Sequence, residues 1–310
     1  MNRNDRIAWF KSLDKKVSNY EHTTEDLMLY LTLDEKSLKA MRAASANYLR
    51  ACLGEGQNLS DDALLASIND AALPKLANRT PNGAVLPKKE VAKEFNELHR
   101  VVGNWVESLG LDDIVAEIFC PLTLRIMSGK GDPKLAARPY ATSKMHADVW
   151  AGDPGDGVNV IVSLFGDVEK TAVDFYRPPA DFEDRFLKHL ADYDEGKEYL
   201  VGCEPYKFEP QVGTVLFFDA IVPHKTARKG GEARGTLQFN LRRKISAPDR
   251  LKIDSMCDKG KLQNFLPPSQ WLSFGTSKYL QFEETLQDAR AGNFTTQPYS
   301  KSFYKIVDRI

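Results

Sequence analysis

Near Cys120 the spacing of apolar residues changes from a helical to a strand-like repeat, and this limits the folds open to the chain. Upstream, apolar residues recur at steps of three and four. Ile7, Phe10, Leu13 and Val17 do so between Asp5 and Tyr20. Leu38, Met41, Ala44, Tyr48 and Leu49 do so after Asp34-Glu35. Val91, Phe95, Leu98, Val102 and Trp105 do so between Lys88 and Leu109. Gly54-Glu55-Gly56 stops the second helix, Ser60-Asp61-Asp62 caps a short one through Ala71, and Pro81-Asn82-Gly83 marks a turn. His99, on the apolar face of the third long helix, reads as a structural histidine.

From Leu122 to Lys244 the step is close to two. Val158 to Phe165 is almost continuously apolar, as expected of a strand buried on both faces. Further strands are expected at Leu122 to Met127, Thr171 to Tyr176, Tyr199 to Phe208, Thr214 to Phe218 and Arg234 to Arg243. Asp181 to Tyr193 reads as a helical excursion, and Lys229-Gly230-Gly231-Glu232 as a tight hairpin. Roughly seven or eight short strands separated by turns suit a sandwich or a barrel. After Pro248 the pattern is mixed. Gln270-Trp271-Leu272 and Leu280 to Ala289 read as helical, and residues 302–307 as an edge strand or a segment packed back on the barrel. The expected class is α+β in one domain over residues 1–310: a mainly helical flank over 1–120, a strand-rich core over 121–245, and a helical or irregular flank over 246–310.

Successive strand side chains point to opposite faces, so residues two apart face the same way. His146 and Asp148 are therefore expected to face one interior point. His224, which follows the strand Thr214 to Phe218, is the best third partner. Two imidazoles and a carboxylate can occupy one face of an octahedral metal and leave three positions open. Arg234 follows ten positions after His224, with Thr236 two further on and on the same face. A guanidinium fork pairs with a carboxylate through two hydrogen bonds, and a threonine hydroxyl adds a third. The pair is expected to hold the far carboxylate of a dicarboxylate whose other end chelates the metal. Arg228 and Arg242 compete for that role; Arg228 lies across the Gly230-Gly231 turn, and Arg242 further along the strand.

Taken in order, His146-x-Asp148, His224 and Arg234-x-Thr236 resemble the Fe(II)- and 2-oxoglutarate-dependent dioxygenases over about residues 120–244. The resemblance implies a double-stranded β-helix, or jelly roll, with the iron at the open end of the barrel. It implies Fe(II), 2-oxoglutarate and O2 as the reacting set, with 2-oxoglutarate decarboxylated to succinate as a substrate C–H bond is oxidised. Related halogenases carry glycine or alanine in place of the carboxylate, so Asp148 favours hydroxylation or another oxidation such as desaturation. A tyrosine or asparagine on this part of the barrel often bonds the cosubstrate in the family, which makes Tyr140 a candidate. Asn159 and Ser163 share one strand face and are candidates for the same contact.

Parity along Arg234 to Arg242 puts Arg234, Thr236, Gln238, Asn240 and Arg242 inward, and Leu237, Phe239 and Leu241 outward under the flanking helices. The loop Ala151 to Gly157 is expected to form a mobile lip, with Trp150 stacking on a substrate or plugging the barrel. Asp153 and Asp156 are expected to meet a cationic or hydroxyl-rich substrate. The 42 basic and 43 acidic residues leave a formal charge of −1, which does not suggest a nucleic-acid or membrane partner. Cys52, Cys120, Cys203 and Cys257 are widely separated with no Cys-x-x-Cys, the N-terminal stretch has no apolar signal core, and no run is long enough to span a membrane. A cytoplasmic enzyme with reduced thiols, acting on a small molecule, is expected. The alternatives are the same chemistry on a protein or nucleic acid, and a non-catalytic jelly-roll metal-binding or sensor protein.

Overall fold

The computed structural model describes residues 1–179, 187–286 and 304–309. Helix α1 (Arg3–Lys16) starts at a reciprocal cap. The Asn2 side chain accepts from the Asp5 N–H, and the Asp5 carboxylate accepts from the Asn2 N–H. It buries Arg6, Trp9, Phe10 and Leu13. Strands β1 (His22–Glu25) and β2 (Met28–Thr32) form an antiparallel hairpin, and β2 continues onto the main sheet. This corrects the helical reading of the first 120 residues. Helix α2 (Glu35–Leu53) begins at Asp34, which accepts from the Ser37 N–H, and ends at left-handed Gly54 with φ 66°. Helix α3 (Asp61–Ser67), strand β3 (Ala84–Val85) and helix α4 (Ala92–Ser108) complete the flank. Helix α3 stops short of the expected Ala71. Helices α2 and α4 pack together, with the Tyr48 and Phe95 rings edge to face at 5.4 Å.

The strand-rich core runs through β4 (Val115–Phe119), β5 (Thr123–Met127), the short helix α5 (Pro133–Ala136), β6 (Gly157–Gly166), β7 (Val173–Arg177), β8 (Glu204–Pro205), β9 (Thr214–Asp219), β10 (His224–Thr226) and β11 (Arg234–Arg243). Three short helices follow: α6 (Ala247–Asp254), α7 (Lys259–Leu262) and, after β12 (Phe265–Leu266), α8 (Pro268–Trp271). Strands β13 (Lys278–Phe282) and β14 (Tyr304–Asp308) pair with each other.

One sheet has nine strands, ordered β1-β2-β9-β6-β11-β4-β12, with β5 also on β11 and β3 on β5. A second is ordered β10-β7-β8, and an isolated bridge from His146 to His224 extends it by one residue. All of these pairings are antiparallel. The two sheets meet through Phe175 of β7 and Phe218 of β9, whose rings lie 4.9 Å apart. On the outer face of the large sheet, Val158, Val160, Val162 and Leu164 are buried, each contributing about 1.5–3 kcal/mol. Leu237, Phe239 and Leu241 are buried on the same side, and Phe239 lies 5.5 Å from the Trp271 ring of α8. Helix α1 is tied in by charge. Fully buried Asp219 accepts from Arg6 Nη1 at 2.7 Å and from Arg243 Nη2 at 2.6 Å.

Three other expectations are corrected. Lys229 to Glu232 is not a hairpin turn. Strand β10 pairs with β7 in the small sheet, while β11 pairs with β6, β5 and β4 in the large one, so the loop crosses between sheets. Tyr199 to Phe208 holds only the two-residue β8, after a 3-10 turn over Tyr193–Leu200. Leu280 starts no helix; it sits within β13, whose partner β14 accounts for the strand expected at 302–307 from Tyr304 onward. The helical excursion at 181–193 falls partly outside the described residues, as do residues 287–289.

Candidate metal centre and anion clamp

Between the sheets lies a cavity of about 160 Å3, lined by residues of both. His146 and His224 reach it from the small-sheet side. Their main chains bridge in both directions, His146 N–H to His224 O at 2.9 Å and His224 N–H to His146 O at 2.8 Å. Each Nδ1 lies on a carbonyl oxygen, that of Lys144 at 2.8 Å for His146 and that of Val222 at 3.0 Å for His224. A carbonyl only accepts, so Nδ1 carries the proton in both rings and Nε2 is the nitrogen left for a metal. Burial, and then the neighbouring His224 ring, push the His146 pKa down to about 3, which keeps that ring neutral.

Asp148 is not on a strand. It opens a 3-10 turn over Asp148–Ala151, yet the extended Ala147 before it leaves its side chain on the His146 side. Its Oδ1 lies 3.7 Å from His146 Nε2 and its Oδ2 3.7 Å from His224 Nε2. The three ligand atoms fall within 4.8 Å of one another. Asn159 Nδ2 donates to Asp148 Oδ2 at 2.6 Å and fixes the carboxylate plane. Two imidazole nitrogens and a carboxylate, each oriented by an outer hydrogen bond, form a donor set that fits a divalent transition metal.

Arg234 lines the same cavity and is 3% exposed. Among the described residues its Nε has no hydrogen-bond partner and no carboxylate pairs with it. Burial, then Arg125 and Arg228, lower its pKa to about 10. A buried cation without a counter-charge is costly, so the site is built for an anion. Thr236 is fully buried beside it and accepts from Gln238 Nε2 at 3.2 Å. Of the residues expected from sequence, His146, Asp148, His224, Arg234, Asn159, Gln238 and Asn240 line the cavity, while Thr236 stands behind its wall.

Tyr140 is not among the lining residues. Its hydroxyl donates to the Leu190 carbonyl at 2.6 Å, and its ring meets Tyr193 edge-on at 5.2 Å. Arg242 is occupied elsewhere, by Asp156, Glu117 and Asp254. Asp156 is fully buried against Arg242 and Arg250 and so does not face a substrate. Asp153 lines the cavity but pairs with Lys261 at 2.7 Å. Residues 151–157 are packed inward and form no exposed lip. Trp150 is fully buried, with Gly196 pressed on its ring, and plugs this end of the core.

Two residues were not singled out beforehand. Arg125 of β5 lines the cavity, its Cα opposite Thr236 and its Nε donating to Gln238 Oε1 at 2.7 Å. A lone arginine amid Leu122 to Met127 was the available signal. Tyr193 stacks on His146 at 4.1 Å with the planes 13° apart. Its segment is tied down by Lys144, which bonds Asp192 at 2.7 Å and Asp194 at 2.8 Å. Nothing near Tyr193 in the sequence marks it.

No family model matches the sequence, and no curated protein matches it. Solved structures similar to this chain include non-heme, alpha-ketoglutarate-dependent enzymes. One is the carbocyclase SnoK from nogalamycin biosynthesis, 12% identical, covering 80% of this chain and 92% of that one, with a TM-score of 0.45. Another is an N-substituted L-amino acid dioxygenase from Burkholderia ambifaria, 14% identical, covering 77% and 91%, with a TM-score of 0.40. A third is the epimerase SnoN in complex with Fe3+, alpha ketoglutarate and nogalamycin RO, 16% identical, covering 76% and 84%, with a TM-score of 0.36.

Proposed function

We propose that this chain is an Fe(II)- and 2-oxoglutarate-dependent oxygenase with a jelly-roll core that oxidises a small molecule, most simply by hydroxylation. The observation that carries the reading is one cavity with two ends. At one end stand the free Nε2 atoms of His146 and His224 and the carboxylate of Asp148. At the other stands the buried, uncompensated Arg234. A dicarboxylate with a chelating 2-oxo acid group satisfies both ends at once. The winding supports the fold assignment. From β5 onward the chain passes from the large sheet to His146 in the small one, back to β6, to β7 and β8, to β9, to β10 and finally to β11.

His146, Asp148 and His224 would hold the iron, which when bound supplies the redox chemistry that couples O2 to 2-oxoglutarate decarboxylation and substrate oxidation. The protein's own work is positional. The Lys144 and Val222 carbonyls keep both Nδ1 atoms protonated, and Asn159 keeps the Asp148 carboxylate turned toward the imidazoles. Arg234 would bind the far carboxylate of the cosubstrate, with Thr236 packed behind it. The small cavity favours a small-molecule substrate over a macromolecule. Because a carboxylate occupies position 148, a halide has no vacant ligand position to fill, which favours hydroxylation.

The test is succinate formation from 2-oxoglutarate by iron-loaded protein under oxygen, across a panel of small organic acids and amino acids. Succinate produced by the wild type and absent with His224→Ala supports the reading. A folded, iron-loaded wild type that yields none with or without added compounds counts against it.

A further inference from the structure

Four more arginines, each less buried than Arg234, lie in the same region. Arg125 lines the cavity, and its Nη1 donates to the Asn82 carbonyl. Arg138 Nη2 donates to the side-chain oxygen of the same Asn82 at 2.6 Å, so one residue of the Pro81-Asn82-Gly83 turn holds both guanidiniums. Arg228 Nη1 donates to the Lys130 carbonyl at 2.5 Å, and Arg79 Nε to the Ile126 carbonyl at 2.9 Å. Carbonyl oxygens position a cation without neutralising it.

Among the described residues, no carboxylate lies within 4.0 Å of Arg79, Arg138, Arg228 or Arg234. Arg228 Nε is buried with no partner. The acids that face the group are Asp70, whose Oδ1 accepts from the Gly129 N–H, and Asp132, which caps α5. Burial, and then Arg228, lower the pKa of both Arg79 and Arg138, which places these cations within one another's field.

A single carboxylate does not answer this much charge. It offers about four acceptor sites. On the reading of Arg234 as the cosubstrate clamp, its guanidinium fork takes two of them. Two are left for Arg138 and Arg228, whose forks would each take two. Arg234 is buried, whereas Arg125, Arg138 and Arg228 are only partly so.

We propose that Arg138 and Arg228, beside Arg125, form a second anion site at the mouth of the cavity, which takes a carboxylate or phosphate group of the primary substrate. This rests on the oxygenase reading, with Arg234 assigned to 2-oxoglutarate, and it narrows the substrate class to small organic anions.

The test is calorimetric titration of inorganic phosphate, and separately of acetate, into the anaerobic Fe(II)- and 2-oxoglutarate-loaded protein. At least one of the two ions should bind the loaded protein, and the tighter of them names the headgroup. Arg138→Gln and Arg228→Gln should each weaken that binding about tenfold, with melting temperatures unchanged and 2-oxoglutarate affinity within about twofold of wild type. The site is overturned if neither ion binds the loaded wild type, if both variants bind as the wild type does, or if 2-oxoglutarate displaces the ion from the metal-loaded protein. The last result would assign all the arginines to the cosubstrate. A wild type that binds no 2-oxoglutarate fails the oxygenase reading instead, and the same titration without cosubstrate then still reports whether the arginines hold an anion.

Discussion

His146 and His224 are joined by their own main chains, each N–H donating to the other's carbonyl, so the two imidazoles are held 4.4 Å apart by backbone geometry. The third partner has no such support. Asp148 sits at the start of a turn, and Asn159 supplies its hydrogen bond. Preorganisation of the triad therefore depends most on Asn159.

Asn159→Ala should weaken Fe(II) binding by about 10–100-fold, the usual cost of losing a partner that orients a ligand. Anaerobic calorimetry, with Co(II) as a redox-silent control, measures this. An affinity equal to wild type would show that the Asn159 contact to Asp148 does not organise the site.

Arg234→Met should act on binding and stability in opposite senses. Loss of a charge-assisted pair worth about 1.5–3 kcal/mol should raise the Kd for 2-oxoglutarate by about 10–150-fold. The apoprotein should become more stable, by about 1 kcal/mol or more, because an uncompensated buried cation is removed. Urea unfolding without ligands, beside a cosubstrate titration, measures both. A variant destabilised in the apo state would mean that Arg234 is already neutralised within the protein.

Gly235, between Arg234 and Thr236, packs against Phe165, and a Cβ there would overlap the ring. Gly235→Ala should cost about 1–3 kcal/mol of stability and weaken cosubstrate binding by shifting Arg234. Adding Phe165→Leu to the same chain should restore most of the loss. Full stability in Gly235→Ala would show that the sheet relaxes freely at this point.

His99 is fully buried among Trp271, Phe274 and Phe95, and neither ring nitrogen has a partner among the described residues. Burial lowers its pKa from 6.5 to about 3. The unfolded chain binds a proton at position 99 as pH falls below 6.5, and the folded protein does not until about pH 3. Its contribution to stability is therefore intact above 6.5 and lost progressively between 6.5 and about 3, by about 1.4 kcal/mol per pH unit. Denaturant unfolding of wild type and His99→Phe across pH 7 to 5 should show a shallower acid slope in the variant. Equal slopes would contradict the assignment.

The sequence was most informative where a side chain's face is set by strand period alone. Along β11, Arg234, Gln238 and Asn240 reach the cavity while Leu237, Phe239 and Leu241 are buried outside it, as alternation requires. Asp148 was placed on the correct side although the chain there is a turn, because extended Ala147 carries the alternation through. Pairing was less legible. Gly230-Gly231 has hairpin chemistry, but β10 finds its partner in β7 and β11 finds β6, and such long-range choices leave no local mark. The same limit hid the β1–β2 hairpin, which lies between two capped helices, and made β13 read as a helix. Tyr193 escaped because its role comes from a crossing segment that meets His146 only in space.

The most direct test of the central claim is the visible spectrum of the anaerobic protein on addition of Fe(II) and then 2-oxoglutarate, in the wild type, His146→Ala and Arg234→Gln. Chelation of ferrous iron by a 2-oxo acid gives a weak metal-to-ligand charge-transfer band. The account predicts that band in the wild type, its loss in His146→Ala, and its appearance only at higher 2-oxoglutarate concentration in Arg234→Gln. A folded, iron-loaded wild type that shows no band, or an Arg234→Gln variant that titrates as the wild type does, would contradict it.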